Sequence, residues 1–244
     1  MNKDILKIEN LCWSIPEAGD VISDLSLSLD SGRLIAVTGP NGGGKTSLAR
    51  LIAGLVKPNS GRIYLNGDDI TELSITERAR LGIAFAFQQP VRFKGLTVRD
   101  LLELAAGRSL SDDDVCALLG KVGLCANEYV GREMNTSLSG GEAKRIEIAT
   151  VLARSAQLSI FDEPEAGIDL WSFSRLVETF EELRESNRGT LLVISHQERI
   201  LSIADEIVVI ANGRVRTMGP RDEILPALLS DEHAARCPLE KAGA

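Results

Sequence analysis

The sequence predicts an α/β protein with a mainly parallel, doubly wound sheet, an N-terminal antiparallel β subdomain and an inserted helical lobe. Three observations support this fold class. Residues 5–29 alternate apolar and polar side chains in two runs that are separated by a turn-forming segment at 16–20. Further along, short continuous apolar runs alternate with helical patterns, which indicates parallel strands joined by helices. Residues 98–127 keep a helical periodicity without strands, which indicates a lobe of helices.

Each element is then predicted from its local pattern. The apolar run 34–38 predicts a buried strand, and the pattern at 47–55 predicts the helix that follows it. A short strand at 61–66 and an amphipathic stretch at 75–81 precede the lobe. After residue 137 the core resumes, and its predicted elements are a helix to residue 153, the strand 158–161, the helix 172–185, the strand 191–195 and the strand 207–210.

The length and composition are those of one globular domain. The chain has 244 residues, of which 44% are hydrophobic, so it can bury a full core. We expect a single domain over residues 1–244. Within it, we predict a core from 1–97 and 154–230, the helical lobe from 98–153, and a flexible tail from 231–244.

Charge and hydropathy disfavour several functional classes. The net charge of −8 argues against a nucleic-acid partner. The apolar runs are far shorter than the roughly 20 residues of a membrane-spanning helix, so we expect no direct membrane insertion. The first residues lack the pattern of a secretory signal, which predicts a cytoplasmic protein.

The cysteines are scattered along the chain. Cys12, Cys116, Cys125 and Cys237 form no CxxC pair and have no histidine cluster near them in sequence. We therefore expect ordinary small side chains or free thiols and no disulfide framework. A redox or metal role is kept as a minor alternative for Cys237, which lies in the polar tail.

A glycine-rich segment directly follows the predicted strand 34–38. It matches the phosphate-binding pattern GxxxxGK[ST], and its residues are Gly39, Pro40, Asn41, Gly42, Gly43, Gly44, Lys45 and Thr46, with Ser47 next. Glycines let successive backbone N–H groups converge on an anion, and the positive end of the following helix adds to them. We assign Lys45 to the β- and γ-phosphates and the Thr46 hydroxyl to Mg²⁺. An ordinary glycine-rich turn is the alternative, and the flanking strand and helix disfavour it.

Two acids end the largely apolar strand 158–161. Asp162 and Glu163 are thereby predicted at the carboxyl edge of the sheet, where ligands bind in doubly wound folds. Asp162 is the expected Mg²⁺ ligand, directly or through a water, and Glu163 is the expected general base for the attacking water. Paired acids at a strand end often serve only as a turn or helix cap, and the phosphate-binding pattern upstream favours the catalytic interpretation.

One of the two histidines, His196, follows the predicted strand 191–195 at the same edge of the sheet. A neutral imidazole there could hydrogen-bond the γ-phosphate and fix the attacking water. A lone histidine is more often structural, so its position alone does not decide between the two roles.

A second anion cradle is predicted at Ser139, Gly140 and Gly141, where a serine and two glycines begin a helix. A plain helix cap with a capping-box glutamate at 142 explains the same residues locally. Together with the phosphate loop, Asp162-Glu163 and His196, this segment resembles the LSGGQ signature of ATP-binding cassette (ABC) ATPases. Glu142 stands where the family commonly has glutamine.

The family resemblance implies further roles and a mechanism. It implies the ABC ATPase fold on a P-loop NTPase core, Mg-ATP as the bound cofactor, and a dimer of two copies that sandwiches two ATP molecules. Each ATP would lie between the phosphate loop of one copy and Ser139, Gly140 and Gly141 of the other. By the same resemblance, Gln88 senses Mg²⁺ and the attacking water, and Asp169 communicates across the dimer.

The adenine site departs from the family pattern. The family often stacks the base on an aromatic residue in the first strand region, and Ile15 stands at that position. Trp13 lies two residues earlier on the same face and is expected to serve packing more than base stacking. The preference for ATP over GTP therefore stays open.

Within the family, the segments 86–91, 139–147, 165–171 and 196–201 most resemble SufC, the soluble ATPase of iron–sulfur cluster assembly. That resemblance implies a partner like SufB or SufD, a scaffold that the ATPase dimer remodels. The main alternative is the ATPase subunit of a membrane transporter, with a permease docked beside Gln88 and residues 85–96. A third class, a nucleotide-binding regulator without turnover, is disfavoured because Lys45, Glu163 and His196 are all present.

Overall fold

The computed structural model describes residues 4–16, 19–135, 137–186 and 189–235. The strands are β1 (Asp4–Ile15), β2 (Gly19–Asp30), β3 (Leu34–Thr38), β4 (Ser60–Leu65), β5 (Asp68–Asp69), β6 (Ile83–Ala86), β7 (Leu158–Asp162), β8 (Thr190–Ile194), β9 (Glu206–Ala211) and β10 (Arg214–Pro220). The helices are α1 (Lys45–Ala53), α2 (Ile75–Arg80), α3 (Val98–Ala106), α4 (Asp112–Lys121), α5 (Ala126–Tyr129), α6 (Gly140–Ala153), α7 (Leu170–Glu185), α8 (Glu198–Ile203) and α9 (Arg221–Ala235).

Across the described ranges, the strands form two sheets. One has the order β2-β1-β4-β5, and all its neighbouring strands are antiparallel. The other has the order β10-β9-β3-β8-β7-β6, and its neighbours are parallel except for β10 with β9. The α/β class, the mainly parallel sheet and the N-terminal antiparallel subdomain predicted from the sequence are therefore confirmed.

The central strand β3 is buried on both sides, which explains its continuous apolar sequence. Leu34 and Ala36 join the core that packs against the helical lobe and α7. Ile35 and Val37 join the core that packs against α1 and the antiparallel sheet. The alternation of the two pairs follows the two-residue period of a strand, so one strand anchors both hydrophobic layers.

The topology brings three loops to one edge of the larger sheet. Strand β3 pairs in parallel with β8, and β8 pairs in parallel with β7, so their carboxyl ends lie side by side. The phosphate loop follows β3, Glu163 follows β7, and His196 lies two residues beyond β8. The site is therefore built at the strand edge where the sequence predicts it.

The helical lobe is divided more finely than its periodicity suggests. The continuous pattern at 98–127 comprises three helices, α3, α4 and α5. Gly107 ends α3 in a left-handed conformation with φ of 67°, and Gly123 follows α4 with φ of 70°. Helix α3 begins at Val98 and α6 ends at Ala153, and the division of the chain into core and lobe stays a prediction.

Several short or terminal elements have no counterpart in the sequence prediction, namely β5, β6, α8, β10 and α9. Strand β6 matters most for function because Gln88 lies two residues after its end. Helix α9 continues to Ala235, into the segment predicted as a flexible tail, while 236–244 with Cys237 lies outside the described residues. No helix in the described part of the chain is long and apolar enough to cross a membrane.

Candidate active site

The phosphate loop turns sharply against the end of β9. Gly39 has φ of 130°, and a Cβ built there would lie 2.0 Å from the carbonyl oxygen of Ile210. A Cβ on Gly43 would lie 2.8 Å from the same oxygen and 2.9 Å from the carbonyl oxygen of Pro40. Side chains are therefore excluded at both positions, and the loop backbone can curl around an anion at the start of α1.

Lys45 begins α1 and is almost buried, with 6% of its surface exposed. Its Nζ donates hydrogen bonds to the carbonyl oxygens of Gly39 at 2.8 Å and Pro40 at 2.9 Å. Burial lowers the pKa of Lys45, whereas the nearby charges of Glu163 and Asp162 act to raise it. The ammonium group thus lies within the loop and close to both acids.

Thr46 and Asp162 are joined directly. The Thr46 Oγ1 donates to the Asp162 Oδ1 at 3.0 Å, and the Asp162 side chain is buried. Burial raises the pKa of Asp162, and the hydrogen bond from Thr46 opposes that shift. A hydroxyl and a carboxylate are hard oxygen donors of the kind that Mg²⁺ prefers, so the residues present fit this ion.

Glu163 is held by its backbone as well as by its side chain. Its φ of 45° is unusual for a residue other than glycine, and its N–H donates to the carbonyl oxygen of Ile194 at 3.0 Å. The Gln88 Nε2 donates to the Glu163 Oε2 at 2.6 Å. The segment after β6 and the segment after β7 therefore meet through these two side chains, which the sequence predicts as site residues 75 positions apart.

An open cleft of about 400 Å³ collects most of these groups. Its lining residues are Val21, Asn41, Gly42, Gly43, Gly44, Lys45, Thr46, Ser47, Gln88 and Glu163. The structure therefore brings the phosphate loop together with Gln88 and Glu163. The predicted site residues that do not line this cleft are Gly39, Pro40, Ser139, Gly140, Gly141, Asp162, Asp169 and His196.

His196 is exposed, and the half-buried carboxylate of Glu165 fixes the loop in which it lies. The Ser195 Oγ donates to the Glu165 Oε1 at 2.6 Å, and the backbone N–H of Gln197 donates to the Ser195 Oγ at 3.0 Å. Burial raises the pKa of Glu165, and the hydrogen bond from Ser195 only partly offsets that shift. Glu165 thus links the segment after Glu163 to the histidine loop, a role that sequence reasoning did not assign to it.

The signature segment caps α6 in the way a capping box does. The Ser139 Oγ accepts the backbone N–H of Glu142 at 3.2 Å, and the Glu142 Oε2 accepts the backbone N–H of Ser139 at 2.7 Å. Ser139 and Gly140 are exposed. A Cβ on Gly141 would lie 2.6 Å from the carbonyl oxygen of Gly167, so this glycine permits close contact with the loop before α7.

Asp169 caps α7. Its Oδ1 accepts the backbone N–H groups of Trp171 at 3.1 Å and Ser172 at 3.0 Å, and its Oδ2 accepts the Ser172 hydroxyl at 2.7 Å. These bonds from Ser172 lower the pKa of Asp169. The carboxylate therefore has a defined local role, and its predicted role across a dimer stays a prediction.

The two candidates for adenine stacking differ in their surroundings. Trp13 is partly buried and packs against the core that contains Ile35 and Val37. Ile15 is 39% exposed. Neither side chain lines the cleft, whereas Val21 does.

Two buried charges on α6 were not predicted as site residues. Lys144 is fully buried, and its Nζ donates to backbone carbonyl oxygens on both segments that carry Gln88 and Asp162. Glu147, one turn later, accepts the backbone N–H of Phe87 at 3.2 Å. The sequence did carry a signal for them, since a lysine and a glutamate lie on the apolar side of the predicted helix. Charged side chains are almost never buried without partners, so such a pair indicates hydrogen bonds to other parts of the fold.

Comparison with known proteins gives a consistent result. The family model described as ABC transporter matches residues 22–166. An uncharacterized ABC transporter ATP-binding protein of Methanocaldococcus jannaschii is 36% identical over 213 residues, which cover 84% of this chain and 85% of that protein. The lipopolysaccharide export system ATP-binding protein LptB of Escherichia coli is 33% identical over 224 residues, covering 88% and 89%.

Solved structures with the same fold include cbiO1 from Clostridium perfringens, part of the transporter complex cbiONQ. It has a TM-score of 0.75 and 26% identity, and the match covers 97% of each chain. The dimeric ATP-binding cassette MJ0796, bound to ADP and phosphate, has a TM-score of 0.78 and 21% identity, with 88% and 98% covered.

Proposed function

Since the chain belongs to the ABC transporter family of ATP-binding proteins and is an ATPase that uses Mg-ATP, we propose that it is the ATP-hydrolysing subunit of a membrane transporter. It would act on the cytoplasmic side as a dimer and drive a separate permease. The relatives reported above support this proposal because they match most of this chain and are named as transporter ATP-binding proteins. These names favour a permease over the SufB- or SufD-like scaffold predicted from the sequence.

The proposed chemistry uses the cleft residues in distinct roles. Lys45 and the N–H groups of the loop bind the phosphates. Thr46 and Asp162, with Gln88 in the same cleft as Thr46, would hold Mg²⁺, and the bound ion would neutralise phosphate charge. Glu163 would accept the proton of the attacking water, and His196, which does not line the cleft of the free chain, would reach the γ-phosphate only in the closed dimer.

Half of each site would come from the second copy. Ser139, Gly140 and Gly141 do not line the cleft of their own chain, although they begin a helix whose N–H groups suit an anion. We infer that they complete the site of the partner copy. Dimeric cassettes among proteins of this fold support a dimer of this chain.

The observation that carries the transporter proposal is an apolar groove between the core and the lobe. It has a volume of about 210 Å³ and is lined by parts of α2, β6, α3 and α6, including Ile75, Phe85, Phe87 and Ala105. Phe87 immediately precedes Gln88, which bonds to Glu163, and Phe85 lies three residues before Gln88. A helical segment of a permease in this groove would therefore contact the segment that sets the hydrolytic groups.

The test is reconstitution with the partner. The tagged chain is purified from native membranes, and a co-purified protein with several membrane-spanning helices is reconstituted with it in proteoliposomes. We expect stimulated ATP hydrolysis, and we expect Ile75→Asp to abolish the stimulation. Met218→Asp is the matched control, because Met218 is 36% exposed, compared with 43% for Ile75, and lines neither the groove nor the phosphate-binding cleft.

The cluster-assembly ATPase stays as a second candidate because of one observation. The segment 139–147, one of the four on which the resemblance to SufC rests, contains Lys144 and Glu147, and both bind the backbone that supports the site. If the protein that co-purifies and stimulates hydrolysis is a scaffold without membrane-spanning helices that assembles an iron–sulfur cluster, the second candidate replaces the transporter proposal.

A further inference from the structure

Helix α6 buries two opposite charges one turn apart. Lys144 has no exposed surface, and Glu147 is 8% exposed. Removing two charged side chains from water is costly unless hydrogen bonds replace the lost solvation. The partners of these two side chains therefore indicate what the pair is for.

Both side chains bind the backbone of the segment 87–91, which we name the Gln88 segment. The Lys144 Nζ donates to the carbonyl oxygens of Phe87 and Gln88, the latter at 3.3 Å. The Glu147 Oε1 accepts the N–H of Phe87 at 3.2 Å. Burial raises the pKa of Glu147 to about 7, and the charge of Lys144 and the backbone N–H groups of Phe87 and Val91 oppose that shift. Because β6 ends at Ala86, the sheet no longer holds this backbone, and the α6 charges supply its hydrogen bonds instead.

Lys144 reaches a second segment of the site. Its Nζ also donates to the carbonyl oxygen of Asp162 at 3.3 Å. Asp162 bonds to Thr46, and the next residue, Glu163, bonds to Gln88. One ammonium group therefore ties together the two backbone segments whose side chains form the hydrolytic part of the cleft.

The same helix begins at the signature. Ser139 caps α6, and Lys144 and Glu147 lie on its second and third turns. A rotation or shift of α6, such as closure onto a second copy would impose, is therefore transmitted to the Gln88 segment through hydrogen bonds within one rigid element. Space filling alone does not explain the pair, since apolar residues of the same size would leave the bound backbone groups without partners.

We propose that Lys144 and Glu147 are positioning residues for ATP hydrolysis, which clamp the Gln88 segment to the signature helix so that Gln88 and Glu163 are aligned when α6 moves. This inference rests on the proposed ATPase function. Neither residue contacts the phosphate loop in the hydrogen bonds described, so the clamp acts on turnover and leaves ATP binding to residues 39–46.

The test separates turnover from binding in three full-length variants. Lys144→Met removes the donor but keeps the apolar stem. Glu147→Leu removes the acceptor, and Glu147→Gln keeps an oxygen that can accept from Phe87. We expect kcat to fall about tenfold or more in the first two variants and to stay within about threefold of wild type in the third. The Kd for ATP, measured in the absence of turnover, should change less than about twofold in all three.

Arg184→Met is the matched control, because Arg184, near the end of α7, also donates to a backbone carbonyl, that of Ile203 at 2.7 Å, and lines neither the cleft nor the apolar groove. Its kcat should equal that of wild type. Each variant is first checked for folding by circular dichroism. If Lys144→Met does not fold, the difference in kcat between Glu147→Leu and Glu147→Gln tests the proposal.

Two outcomes would overturn the clamp. One is a folded Lys144→Met variant with wild-type kcat, and the other is a loss of ATP binding in parallel with turnover. Equal activity of Glu147→Leu and Glu147→Gln would count against it in the same way. A wild-type chain that binds ATP without hydrolysing it would instead contradict the proposed function, so the two failures are distinguishable.

Discussion

Glu142 occupies the signature position where related ATPases commonly carry glutamine, and its charge has several partners. The Tyr129 hydroxyl donates to its Oε1 at 2.6 Å, and the backbone N–H of Ser139 donates to its Oε2 at 2.7 Å. These hydrogen bonds, first from Tyr129 and then from Ser139, lower the pKa of Glu142 from 4.5 to about 2. The ionised carboxylate therefore stabilises the start of α6.

A pH dependence of stability follows. Because the folded pKa lies below the unfolded one, the contribution of Glu142 is present above about pH 4.5 and is lost as the pH falls toward 2. We expect Glu142→Gln to reduce the free energy of unfolding by about 1 kcal/mol at pH 6, a discounted value because the side chain is 20% exposed. The difference should shrink at pH 3.5, as measured by urea denaturation.

The control for Glu142 is Glu72→Gln, which removes a carboxylate that is 83% exposed and pairs with the exposed Lys57. A Glu142→Gln difference that stays constant between pH 6 and pH 3.5 would contradict the assignment of the stabilisation to the charge.

At the residue scale, the sequence identifies the residues that line the cleft. It does not identify the buried residues that hold the cleft-lining segments in place. Lys45, Thr46, Gln88 and Glu163 lie together where the pattern of glycines and strand-end acids indicates. Lys144 was missed as a site residue because its role depends on which backbone carbonyls the fold brings to α6. No sequence spacing encodes contacts 57 and 18 residues apart.

At the scale of elements, a buried arginine on α2 joins that helix to α1, the helix that follows the phosphate loop. Arg78 of α2 is 1% exposed, and its guanidinium donates to the carbonyl oxygens of Leu51 at 2.6 Å and Ile52 at 2.9 Å near the end of α1. It also donates to the carbonyl oxygen of Thr71 at 2.7 Å. Burial lowers the pKa of Arg78. The N–H groups of its guanidinium cap the C-terminal end of α1, the helix that begins at Lys45.

We expect Arg78→Met to lower the free energy of unfolding by about 3 kcal/mol, because three buried carbonyls lose a charged donor. Chemical denaturation at neutral pH measures the loss. Arg80→Met on the same helix is the control, because Arg80 is exposed. The free energy of unfolding of this variant should stay within about 0.5 kcal/mol of the wild-type value. Equal stability of the two variants would contradict the capping role.

Elements were predictable where one local pattern decides the conformation. The strands β3, β7 and β8 are buried at every position, so their apolar runs are sufficient evidence. In contrast, β6 is four residues long, and its apolar sequence does not distinguish a strand from a loop or a helical turn. Its conformation comes from parallel pairing with β7, which is a property of the assembled sheet.

At the scale of the whole molecule, two large apolar side chains are exposed on the surface beside the signature. Trp171 is 84% exposed and Leu170 is 68% exposed at the start of α7. They follow Asp169 directly, and the loop before them contacts the signature at Gly141 through the Gly167 carbonyl. A dimer that closes through the signature face would therefore bring a second copy close to this tryptophan.

The chain has two tryptophans, so Trp13→Phe leaves Trp171 as a single fluorescent reporter. In that background, Glu163→Gln should keep ATP binding, lose at least about 100-fold in turnover because the base is gone, and accumulate as an ATP-bound dimer. We expect the dimer in size-exclusion chromatography to coincide with a blue shift of Trp171 emission and with weaker quenching by acrylamide. Adding Lys45→Ala should remove both signals, because the loop loses its phosphate-binding cation. A monomer at saturating ATP would contradict the composite site, whereas a dimer with unchanged emission would mean that the closed face does not extend to α7.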